Sequence, residues 1–208
     1  MKRLARFFLL SLVSCSSLLG QMASASHSKV VADLPNFREV TANLYRGGRP
    51  TLTGLKTLAG LRIKTIINLQ GGDLHTRYGK IGGRMEPGEF PEAILREGFD
   101  ARELGMEYFS FPLDSVDRIN PSEEIEIAEI LELMKTPDAF PIYIHCEHGK
   151  DRTGLLVAIE RVEQEGWTPL RARAEWIALG HTKESRLVTG KLDDYFFTLF
   201  PKEKPAQN

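Results

Sequence analysis

Leucines recur at every third position in TLTGLKTLAGLRIKTIINLQ, at Leu52, Leu55, Leu58 and Leu61, and predict a short helix with one apolar side. From Ile63 to Leu69 the pattern shifts to β-branched residues and stops at Gly71 and Gly72, which predicts a strand and a turn. Residues 73–91 mix glycine with charge and read as a loop. EAILREGFDARELG then predicts a helix, MEYFSFPL a strand and DSVDRIN a loop. Pro121 fits the first turn of the next helix, PSEEIEIAEILELMK, whose early acids suit the positive end of the helix dipole. FPIYIH is a buried strand, and RTGLLVAIERVEQEGW a helix ending near Gly166. TPLRARAEWIALG and LVTGKLDDYFFTLF complete a helical C-terminal half, and NLYRGG offers one more strand.

Strands alternating with helices predict an α/β fold, a central mostly parallel sheet flanked by helices. In such sheets ligands bind beyond the carboxyl ends of the strands. Cys146 directly follows the strand that ends at His145, so the pattern places it on that edge.

The first residues do not fit this scheme. Lys2, Arg3 and Arg6 precede an apolar run from Phe7 to Val13, and small residues follow at Ala23 to Ala25. That order reads as an export signal over residues 1–25, leaving one domain over residues 26–208. Cleavage after Ala25 is preferred. LVSC at Leu12 to Cys15 is the alternative, a lipoprotein box in which Cys15 would be lipidated after a signal ending at residue 14, and only then would the protein meet a membrane. Both routes predict a periplasmic or secreted protein. Soluble processing leaves Cys146 as the remaining cysteine, so no internal disulfide is expected. A lone thiol outside the cytoplasm is a liability unless the sulfur has work to do.

Composition narrows the function by exclusion. A formal net charge of −1 excludes a bulk basic surface of the kind that binds nucleic acid, so any anion site must come from a local cluster. Such a cluster lies in HCEHGKDRTG, residues 145–154. Five residues, Glu147, His148, Gly149, Lys150 and Asp151, separate Cys146 from Arg152, and the loop joins a strand to a helix N-terminus. The first N–H groups of that helix lack internal partners, and the dipole adds positive potential. The same field that holds a phosphate lowers the pKa of a thiol from its free value of about 8.5. Arg152 offers a planar fork for two phosphate oxygens. Gly149 and Gly154 allow tight turning, Thr153 can hydrogen-bond the sulfur, and His145 can orient the loop from behind.

This constellation resembles the cysteine-dependent phosphatases: protein tyrosine phosphatases and their dual-specificity and inositol-phosphate-directed relatives. NLYRGGRPTLTGLKTLAGLRIKTIINLQ is similar to the N-terminal part of bacterial dual-specificity-type members, and the likeness runs from about Asn36 to Gly180. It implies a dual-specificity-phosphatase-like fold and a phosphoric monoester hydrolase working through a phosphocysteine on Cys146, with Arg152 and the loop amides stabilising the transferred group. It implies no metal and no cofactor. It also implies an aspartate general acid before the nucleophile strand: Asp114 is preferred and Asp117 is the alternative. Asp151 lies inside the loop and is expected to anchor a neighbouring arginine.

GKDRTG resembles relatives that act on phosphoinositides and inositol phosphates. Such substrates need further cations at the rim, and Arg46 and Lys150 are the candidates chosen; Arg49, Arg77, Lys80, Arg84, Arg118, Lys183 and Arg186 are others. The expected partner is a small-molecule phosphate ester of the inositol type, with a phosphoprotein as the alternative. Two readings from other classes remain open, a rhodanese-like sulfurtransferase and a non-catalytic phosphate-binding module.

Overall fold

A computed structural model describes residues 32–70, 92–113, 119–181 and 190–201. In chain order it contains β1 (Arg38–Thr41), β2 (Leu44–Gly47), α1 (Leu52–Gly60), β3 (Thr65–Gln70), α2 (Glu92–Glu103), β4 (Glu107–Leu113) and α3 (Pro121–Leu133). A 3₁₀ turn (Pro137–Ala139), β5 (Ile142–His145), α4 (Arg152–Glu163), α5 (Pro169–Ala178) and α6 (Gly190–Leu199) follow. The strands form one sheet in the order β1-β2-β5-β3-β4. β2, β5, β3 and β4 are parallel, and β1 alone pairs antiparallel, with β2. The fold is thus the mostly parallel α/β sheet that the alternating pattern predicts.

β5 lies at the centre, and all four of its residues are buried, as parallel strands covered on both faces require. Their side chains alternate between two apolar layers. Ile142 and Ile144 join Ile67 and Leu69 in a core with α3, α4, α5 and α6, including Ile130, Leu155, Leu156, Trp176 and Phe196. Tyr143 joins Ile66 in the opposite core, with Leu55 and Leu58 of α1 and Ala101 of α2. Helices therefore cover both faces, and α4 is buried at every position from Thr153 to Arg161.

Local chemistry sets the helix ends. Thr51 caps α1, accepting from the Gly54 N–H at 3.1 Å. Asn120 and Glu123 form a reciprocal capping box at α3, with Pro121 at its first position. The leucine stripe of α1 is narrower than its spacing predicts: Leu55 and Leu58 are buried, but Leu52 and Leu61 are exposed. A three-residue step falls short of the 3.6-residue turn, so the ends of the series rotate off the buried face. β1 escapes the periodic pattern because Arg-Glu-Val-Thr is an exposed to half-buried edge strand with no apolar alternation.

Candidate active site

The loop from Cys146 to Asp151 leaves the carboxyl end of the central strand and enters α4 at Arg152. Cys146 is buried, with 3% of its surface exposed. Burial pushes its thiol up, but the Arg152 guanidinium, the Thr153 hydroxyl, and the Thr153 and Gly149 amides outweigh that, and its pKa lies below the ordinary cysteine value. The Thr153 hydroxyl is itself buried, and among the described residues the adjacent sulfur is the partner it serves. Arg152 donates through Nη1 to the Leu69 carbonyl at 3.2 Å and the Leu113 carbonyl at 3.3 Å. The ends of β3 and β4 thus fix one corner of the guanidinium.

Backbone contact holds one side of the loop. Gly149 has φ +70°, a conformation that L side chains rarely adopt, and an added Cβ would lie 2.3 Å from the Gly47 carbonyl carbon. Gly47 and Gly48 let β2 approach this closely: the Arg49 N–H donates to the Glu147 carbonyl at 3.0 Å, and the Tyr143 hydroxyl donates to the Gly48 carbonyl at 2.6 Å. The Gly149 carbonyl accepts from Arg46 Nη2 at 2.7 Å and from Asn36 Nδ2 at 3.0 Å. Asn36 also donates to the Leu179 carbonyl, at 3.0 Å, and so ties the loop to the end of α5.

Arg46 is therefore not on the substrate rim, the place expected for it. It is 1% exposed, and its fork lies beneath the loop because β2 carries it inward beside β5. Burial lowers its pKa to about 10, and it still carries charge at neutral pH in the field of Cys146. Lys150 is exposed, and its stem lies across Gly180, which has φ +104°. Glu147 and His148 are exposed as well. Arg49 pairs with Glu97 at 3.0 Å.

His145 is fully buried behind the cysteine. Its Nδ1 lies 3.2 Å from the Cys146 carbonyl, and its Nε2 lies 2.9 Å from Glu97 Oε1, close enough for an ion pair but not aligned as a hydrogen bond. Tyr108 donates to the same carboxylate at 3.3 Å and accepts from Asn68 at 2.7 Å.

Charge holds the other side. Among the described residues Asp151 meets a histidine and not the expected arginine: its Oδ1 lies 2.7 Å from His181 Nδ1. His181 Nε2 meets Asp193 at 3.2 Å, and Arg173 grips Asp193 through two bonds of 2.6 and 3.0 Å. The Trp176 ring stacks on His181 at 4.0 Å and donates Nε1 to the Lys150 carbonyl at 2.9 Å. A Cβ on Gly154 would lie 2.0 Å from the Trp176 ring, so only glycine admits the indole against α4. Burial lowers the pKa of His181, but its two carboxylate partners more than reverse this and raise it. Burial raises the Asp193 carboxyl, and His181 and Arg173 together override that, holding it well below the usual range.

His181, Trp176, Asp193, Asn36 and Glu97 are loop supports that sequence reasoning missed. An asparagine before an edge strand and a histidine after a helix-ending glycine carry no local pattern of their own. Asp114, Asp117, Arg77, Lys80, Arg84, Arg118, Lys183, Arg186, Cys15 and the export signal lie outside the described residues. Among the described residues, no group of three or more His, Cys, Asp or Glu side chains is placed to hold a metal ion, and no helix is long and apolar enough to cross a membrane.

Comparison with known proteins gives concordant likenesses. Residues 21–185 match the family described as DSP-PTPase phosphatase fused to NAD+ kinase. The chain is 25% identical over 140 residues to the dual specificity protein phosphatase TpbA of Pseudomonas aeruginosa, covering 67% of this chain and 52% of that one. It is 30% identical over 128 residues to the inositol diphosphatase DSP4 of Arabidopsis thaliana, covering 61% of this chain and 54% of that one. The chain thus spans about half the length of each of these two relatives. Among solved structures, the catalytic core of the PP-IP phosphatase SIW14 from S. cerevisiae, in complex with citrate, superposes with a TM-score of 0.56 at 23% identity, covering 81% of this chain and 87% of that one.

Proposed function

The chain belongs to the cysteine-dependent phosphatases of the tyrosine and dual-specificity type, and we propose that it hydrolyses inositol polyphosphates or phosphoinositides through a phosphocysteine on Cys146. Membership of that family sets aside the sulfurtransferase and the non-catalytic module. The observation that carries the mechanism is the buried Cys146 thiol, lowered by Arg152 and by the amides at the mouth of α4.

In the first step the thiolate attacks phosphorus, a P–S bond forms and the P–O bond to the leaving alcohol breaks. Asp114 donates a proton to the departing oxygen; it follows Leu113, whose carbonyl holds Arg152, and Asp117 is the alternative acid. Arg152 and the loop amides carry the charge of the transferring group. In the second step water attacks phosphorus, gives its proton to the aspartate, and the P–S bond breaks to release inorganic phosphate and restore the thiolate.

The inositol preference draws on exposed Lys150 in the loop and on the likeness to DSP4 and SIW14. The likeness to TpbA favours the second reading, a phosphoprotein substrate. Residues 1–25 are proposed to direct export, with lipidation at Cys15 as the alternative route.

Turnover of inositol hexakisphosphate, a phosphoinositide and a phosphotyrosine peptide by the full chain separates the substrate readings. Hydrolysis of either inositol compound in preference to the peptide supports the proposal, and hydrolysis of the peptide alone overturns it. Cys146→Ser is expected to abolish all turnover.

A further inference from the structure

Asp151 occupies the position just before α4 where an aspartate ordinarily caps a helix by accepting from its first N–H groups. Here it makes no such bond. Its backbone is already helical, with φ −84° and ψ −73°, and its carboxylate turns away to His181 at 2.7 Å. The consequence is chemical. A carboxylate on those amides would spend the positive field of the helix on the protein's own charge, beside a thiolate that depends on the same field.

We infer that His181 is a positioning residue that draws the Asp151 carboxylate away from the mouth of α4 and so keeps that anion site open for the Cys146 thiolate and the substrate phosphate. The geometry is built for the task. His181 is 2% exposed and lies between two carboxylates, Asp151 from the loop and Asp193 from α6. Arg173 of α5 neutralises Asp193 from behind, Trp176 of α5 covers the face of the ring, and the stem of Lys150 crosses the neighbouring Gly180. Asp193 receives two bonds from Arg173 and one contact from His181, so the ring is fixed from the helical side and Asp151 comes to it. The effect on catalysis passes through where Asp151 lies. The inference rests on the phosphatase reading of the loop.

A double-mutant cycle tests it, because a support that merely stabilises the fold and one that restrains a competing anion differ in sign. The probes are p-nitrophenyl phosphate turnover and the pH dependence of Cys146 alkylation by iodoacetamide, both on the full chain. His181→Ala frees a carboxylate beside the anion site, so kcat/KM is expected to fall about ten- to a hundred-fold, the scale of a misplaced catalytic group. The alkylation midpoint should move to higher pH. Asp151→Ala in that background removes the competitor and should restore most of both readouts, leaving Asp151→Ala/His181→Ala better than His181→Ala alone. Should His181→Ala fail to fold, His181→Leu replaces it in the same cycle, retaining much of the volume without a donor or the charge. A double variant no better than the single one, or an alkylation midpoint unmoved by His181 substitution, overturns the inference. A wild-type thiol that titrates like free cysteine would instead overturn the phosphatase reading on which the inference rests.

Discussion

The two walls of the phosphate loop are built from unlike materials. The wall facing β2 is main chain on main chain: Gly47 and Gly48 pass against Gly149, and neutral carbonyls take the bonds from Arg46, Asn36 and Tyr143. The wall facing α5 and α6 is a line of alternating charge, Asp151, His181, Asp193 and Arg173, capped by an indole. The first wall tolerates no added atom but contains no group that changes charge near neutral pH. The second has an imidazole at its centre, and its strength depends on a proton. Shape is thus controlled from one side and charge from the other.

The largest expected effect breaks the first wall. Gly149→Ala places a Cβ against the Gly47 carbonyl and forces an L residue to φ +70°. It should lower stability by about 1–3 kcal/mol. A displaced loop should also cut kcat about a hundred-fold. Urea unfolding and turnover of p-nitrophenyl phosphate check both, and wild-type values in both would show that the close approach does not matter.

Removing a donor from the same wall is milder. Arg46→Met keeps the buried stem but leaves the Gly149 carbonyl with Asn36 as its remaining side-chain donor. The loss of a charged donor is expected to cost about 1.5–3 kcal/mol in urea unfolding. The Cys146 alkylation midpoint should rise as well, since Arg46 and Cys146 lie in each other's field. A changed KM for a polyphosphorylated substrate, with stability and the thiol unaltered, would show that Arg46 acts on the substrate and not through the loop.

The smallest effect sharpens the contrast between walls. The folded pKa of His181 lies above its unfolded value. Its stabilisation is therefore complete below the unfolded value of about 6.5 and fades as pH rises through the folded value. Asp193 has the opposite sign: its pKa is depressed, so its contribution is present above the unfolded carboxylate value and is lost as pH falls toward the folded one. Between these limits the charged wall is at full strength. The urea midpoint of the wild type should decline from pH 6 to pH 9 relative to that of His181→Gln, whereas Arg46→Met should keep the wild-type slope. Parallel curves for wild type and His181→Gln would show that the imidazole holds no extra proton.

The same division explains what the sequence could reveal. The sheet was legible because β3, β4 and β5 carry compact apolar or β-branched runs, and α3 announced its start through Pro121 and the acids that follow it. The loop was legible because Cys146, Gly149, Arg152 and Thr153 are packed into one short stretch whose chemistry has few other uses. Its supports were not. Asn36 and Leu179 are far apart in sequence and meet at the loop only once the sheet has formed. Arg46 looks like a surface cation in NLYRGG, and only the pairing of β2 beside β5 sends it inward. Asp151 was expected to serve an arginine because sequence shows the charge it carries but not the histidine that folding brings to it from beyond α5.

Alkylation of Cys146 by iodoacetamide, followed by intact mass across pH 4 to 10, tests the central claim most directly. The account predicts a midpoint below the free-cysteine value of about 8.5, moved upward by Arg152→Met. A midpoint at or above that value, unaffected by Arg152, would contradict it.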